Sequence, residues 1–141
     1  MAKDEPDLRS ELECFPEIDP GVEVLGDRIL VQLRREKNTS KGGIILVDET
    51  RQTLRFNETV AKVLQIGPLA YKSPDDLTPW VEGPWCQVGD LVRTIKYGGD
   101  RFVVQPDDEG SPVVFITIQA REVISKIKSF EFAQKMKAFV D

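Results

Sequence analysis

Between Val22 and Ile127 the chain alternates short apolar runs with Gly, Pro and Asp punctuation. Val22, Val24 and Leu25 lead into the turn signal Gly26-Asp27, and Ile29, Leu30, Val31 and Leu33 follow; together they predict a first strand pair. Thr59 to Ile66 reads as a strand ending on Gly67-Pro68. Leu91, Val92 and Ile95 form another after the turn Val88-Gly89-Asp90, and Arg101 to Val104 another after Tyr97-Gly98-Gly99-Asp100. Val113 to Ile118 is a continuous β-branched and apolar run of the kind found in buried strands. Val123, Ile124 and Ile127 complete the series. Many short strands with frequent turns predict an all-β fold, a small β-barrel spanning residues 21–127.

The remaining segments break this pattern in different ways. Residues 1–20 are acidic and hold three prolines, so an extended, flexible arm without core residues is expected. Residues 68–87 carry Pro68, Pro74, Pro79 and Pro84 with Trp80 and Trp85, which argues against a regular central strand and for a stiff loop packed on the barrel. In the tail 128–141, Phe130, Ala133, Met136 and Val140, with Ile127 before them, fall near helical spacing, so a short amphipathic helix is expected.

Composition narrows the chemistry. The 141 residues hold no histidine, so the commonest general base and metal ligand are missing and neither a catalytic nor a metal site is expected. Cys14 and Cys86 are too few for a metal site or a disulfide framework, and a reducing, cytoplasmic compartment is the plain reading. A net charge of −5 repels nucleic acid and anionic membranes at long range. The opening residues are unlike a secretory or transit peptide, and no apolar run is long enough to span a bilayer. Asp107, Asp108 and Glu109 read as a solvated turn.

The segment from about residue 35 to 57 is the least ordinary. Loops beyond about 12–15 residues are uncommon in compact domains and are usually functional or disordered. In its middle Gly42 and Gly43 precede Ile44, Ile45, Leu46 and Val47. Two readings stand: a turn followed by a buried strand, or a docking segment, because four adjacent apolar side chains on an extended chain cannot all face one core.

Four ordered blocks then carry a resemblance. GDRILVQL, KGGIIL, VAKVLQIG and QVGDLVRTIKYGGDRF, followed by VVFITIQAREVISKI, are similar to successive segments of the GroES co-chaperonin family. The resemblance implies a GroES-like barrel with a long mobile loop, in a homo-oligomer of seven subunits that caps a GroEL-type chaperonin and encloses an unfolded client. ATP and Mg would be used by the chaperonin, and this chain would need no cofactor. It implies that Ile44, Ile45 and Leu46 enter an apolar groove of the chaperonin, with Gly42 and Gly43 shaping the loop and Val47 completing the run. It further implies that Val22, Val24 and Leu25 of one subunit pair with Val123, Ile124 and Ile127 of its neighbour. Tyr97 falls where the family has a chamber-facing tyrosine; an ordinary turn tyrosine packed on the barrel is the equal alternative.

The chain departs from short bacterial members in its arm, its tail and residues 68–87, where a roof hairpin is in question. Such decorated members occur among bacteriophage-encoded co-chaperonins, which would act in the host cytoplasm on a large client. Two rivals remain. A zinc alcohol dehydrogenase shares the barrel but needs histidine ligands and a G-x-G-x-x-G domain. An oligonucleotide-binding barrel needs a basic groove with exposed aromatics.

Overall fold

A computed structural model of the chain describes residues 9–35, 58–95, 98–105 and 112–136. A one-turn helix, α1 (Glu11–Cys14), precedes the strands β1 (Arg28–Leu33), β2 (Val60–Ile66), β3 (Leu91–Thr94), β4 (Asp100–Val104), β5 (Val113–Gln119) and β6 (Val123–Lys126), and a second short helix, α2 (Phe130–Lys135), follows. The strands form one antiparallel sheet in the order β4-β5-β1-β2-β3-β6. The expected all-β fold with a short C-terminal helix is the one observed.

The continuous apolar runs are explained by burial on both faces. In β1, Ile29, Val31 and Leu33 point to the main core with Val63, Val92, Ile116 and Ile118. Leu30, one step out of phase, joins Val113 and Phe115 on the opposite face, covered by Ile18, Val24, Leu64, Phe102 and Val104. Strands alternate faces, so burial of both favours near-continuous apolar runs; the exception in β1 is Gln32, 2% exposed, which donates to Pro16 O. Gly67, at the exit of β2, is fixed by close approach: a Cβ there would collide with the carbonyl oxygens of Gly26 and Arg28. Its own N–H donates to Arg28 O at 2.8 Å.

Two expectations are corrected. Val22–Leu25 is not a strand: the Val22 carbonyl and the Val24 amide are met by the Gln65 side chain rather than by a neighbouring strand. Residues 9–20 do hold core residues: Cys14 and Phe15 are each only 1% exposed. They pack with Val60, Leu91, Ile127 and Ala133. The reason is the capping box of α1, in which Ser10 and Glu13 bond each other's backbone, so a short acidic segment turns two apolar residues inward.

Residues 68–87 lack a named strand but are ordered by a tight reversal. Lys72 and Pro79 form an antiparallel bridge, Ser73 N–H donates to Thr78 O, and Trp80 N–H donates to Tyr71 O. Asp76 caps the tip by accepting from the Thr78 amide and hydroxyl. Trp80 and Trp85 pack against the main core as the loop reading expects.

Candidate docking and assembly surfaces

The ends of β1 and β2 that flank the long polar segment in sequence are fastened to each other by a buried ion pair. Arg34 Nε and Nη2 donate to Glu58 Oε2 and Oε1, both at 3.2 Å. Their side chains are 5% and 7% exposed. Glu58 Oε1 also accepts from the Val60 and Thr59 amides, and Arg34 Nη1 donates to Ala133 O in α2 at 2.7 Å. Burial pushes the Glu58 carboxyl above its ordinary range, while Arg34 and the two amides pull the other way. The N-terminal arm joins the same node: Arg35 N–H donates to Cys14 O, Arg9 Nη1 donates to Arg35 O, and Gln134 Nε2 donates to Arg9 O. The candidate docking residues Gly42, Gly43, Ile44, Ile45, Leu46 and Val47, and Tyr97, lie outside the described residues.

Of the candidate assembly residues, Val22 and Leu25 are 45% and 70% exposed, and Val24 is half-buried against the outer cluster. Val123 and Ile127 face the chain's own cores, whereas Ile124 between them is 64% exposed. The two segments are not brought together within one chain: the sheet order places β3 between β2, where Gln65 holds the first segment, and β6. β6 ends the sheet, so its outer edge is unpaired among the described residues. Along it runs an open groove of about 460 Å³ lined by Glu82, Pro84, Trp85, Ile124 and Lys126, among others.

Trp85, which lines this groove, belongs to an aromatic cluster. The Tyr71, Trp80 and Trp85 rings lie 5.1 to 5.7 Å apart between centroids. The Tyr71 hydroxyl donates to Ala120 O at 2.9 Å and lies 3.4 Å from Cys86 Sγ. Burial first, and Cys86 second, push this hydroxyl well above the usual tyrosine range; burial likewise raises the Cys86 thiol. Both therefore stay protonated at neutral pH, which suits packing rather than nucleophilic chemistry. Among the described residues no group of three or more Cys, Asp or Glu side chains is placed to hold a metal ion.

Sequence reasoning missed Arg34, Glu58, Gln65 and Tyr71. The only signal was polar type at the ends or inside of apolar runs, as with Gln65 in VAKVLQI. Their tertiary partners lie 15 to 99 positions away.

The family model described as Chaperonin 10 Kd subunit matches residues 21–127. The chain is 33% identical over 107 residues to the Co-chaperonin GroES of Chlamydia pneumoniae, covering 76% of this chain and 91% of that protein. It is 32% identical over the same shares to that of Chlamydia muridarum, and 31% identical to that of Chlamydia felis, covering 74% of this chain and 88% of that protein. The arm that supplies Cys14 and Phe15 and the helix α2 lie outside the matched span. Matched over the whole barrel, and with relatives above 30% identity across most of their own length, the chain belongs to the Chaperonin 10 Kd subunit family.

Proposed function

We propose that this chain is a co-chaperonin subunit that assembles with copies of itself and docks through Ile44, Ile45 and Leu46 onto a GroEL-type chaperonin. The match over residues 21–127 carries this reading, and the KGGIIL block lies between β1 and β2 in the sequence. A seven-membered ring in the cytoplasm, with Gly42 and Gly43 as loop hinges, Val47 closing the apolar run and Tyr97 toward the enclosed client, is the finer form. The chain itself performs no catalysis; ATP and Mg act on the chaperonin.

The energetics suit a reversible lid. Burying three apolar side chains contributes about 1.5–3 kcal/mol each, while ordering a flexible segment costs about 1–2 kcal/mol per residue. For a docking stretch of about eight residues the ordering cost of about 8–16 kcal/mol matches or exceeds the gain of about 4.5–9 kcal/mol, so one loop binds barely or not at all. Several loops on one ring make later contacts intramolecular, and the ring binds although each contact breaks easily.

The test is co-sedimentation with a GroEL-type chaperonin with and without ATP. Binding that depends on ATP and disappears in Ile45→Asp or Leu46→Asp, with the melting curve unchanged, is expected. Unchanged binding by both variants would remove this segment as the docking site.

A further inference from the structure

Val22–Leu25 belongs to no strand, yet one side chain supplies what a neighbouring strand would. Gln65 Oε1 accepts from Val24 N–H at 2.8 Å, and Gln65 Nε2 donates to Val22 O at 3.0 Å. In a parallel sheet the backbone of one residue makes the same pair of bonds, to the C=O of one residue and the N–H two positions on. A chain spanned in this way is locally extended. The peptide groups of the intervening Glu23 therefore point to the opposite side. Nothing among the described residues hydrogen-bonds to them. Packing fixes the segment further: Val24 sits against the Leu30, Val113 and Phe115 cluster, and Arg28 N–H closes the following turn on Leu25 O at 3.3 Å.

The opposite half of a strand pair is also present. β6 has one edge unpaired among the described residues, an outward Ile124, and a groove beside it walled by Trp85 and Pro84. The segment carries Glu23, and β6 carries Lys126, which is 59% exposed although it pairs with Asp90 at 3.5 Å.

We propose that Gln65 is a positioning residue for assembly: its carboxamide stands in for a strand and holds Val22–Leu25 extended, with the Glu23 edge free to pair with β6 of a second copy of this chain. This rests on the ring reading above. Its physical basis is pre-organisation: the segment's conformational entropy is lost during folding instead of at association, which strengthens every interface of the ring.

Wild type and Gln65→Met, which keeps the side-chain volume and removes both hydrogen-bonding groups, are compared as full chains by sedimentation velocity over a dilution series. A denaturant melt checks the fold. Expected is a weakening of about tenfold per interface, the scale of two lost neutral hydrogen bonds. Val24 amide exchange in the monomer should quicken while that of Val63 is unchanged. Gln65→Glu, which keeps an acceptor for Val24 and loses the donor to Val22, should be intermediate, and it carries the comparison if Gln65→Met lowers the melt. Wild-type assembly by the variants overturns the inference. Ile124→Asp separates it from the ring reading: normal assembly of that variant removes both, whereas a monomeric Ile124→Asp beside normally assembling Gln65 variants removes only the role of Gln65.

Discussion

Tyr71 has a φ of 60°, a conformation that costs a bulky side chain of order 1–3 kcal/mol. It is held there by its hydrogen bond to Ala120 and by Trp80 and Trp85. Because burial raises both Tyr71 and Cys86, their folded values lie above their unfolded ones. Stability from this pair is then fully present below the unfolded values, about 8.5 for cysteine and about 10 for tyrosine. It is lost as pH rises past them, since the unfolded chain releases protons that the folded chain retains. The denaturant midpoint should hold steady from about pH 7 to 8 and fall above about pH 9, where these values lie. Tyr71→Phe combined with Cys86→Ala should start lower at pH 7 and fall less steeply. An equal alkaline slope in both proteins would show that other groups control it.

At the scale of elements, Arg34 and Glu58 tie the ends of β1 and β2 to each other and, through Ala133, to α2. Removing one member of a buried pair leaves the other charge without its partner, at a typical cost of about 3–5 kcal/mol. Glu58→Gln should lower the unfolding free energy by that order in a urea titration. Arg34→Met with Glu58→Leu should recover much of the loss, because neither charge is then buried alone. A loss under about 1 kcal/mol for Glu58→Gln would place the pair with ordinary surface bridges. The strands themselves were legible: the runs at Thr59 to Ile66 and Val113 to Ile118 match β2 and β5 to within one residue at either end. Val22–Leu25 was not, because a side chain 41 positions from Val24 in sequence replaces the ladder partner that a strand reading assumes.

For the whole molecule, the proposed ring makes the number of loops presented together the decisive quantity. A monomeric chain keeps Ile44, Ile45 and Leu46 but loses the intramolecular advantage of its neighbours. Ile124→Asp should therefore sediment as a monomer and fail to co-sediment with a chaperonin at concentrations where wild type binds, although its docking segment is unaltered. A monomer that bound as tightly as the assembled protein would show that one loop suffices.

The sequence alone determined the all-β class, most strand positions and the family blocks, because alternation, β-branching and turn chemistry act between near neighbours in the chain. Absent histidine and a net charge of −5 also disfavoured whole classes of chemistry without any structure. Only the tertiary structure decided that Cys14 and Phe15 belong to a core with Ile127 and Ala133, that Arg34 meets Glu58 and α2, and that Gln65 holds Val22–Leu25. These contacts join residues far apart in sequence, and no local periodicity encodes which distant group will satisfy a buried charge or an unpaired amide.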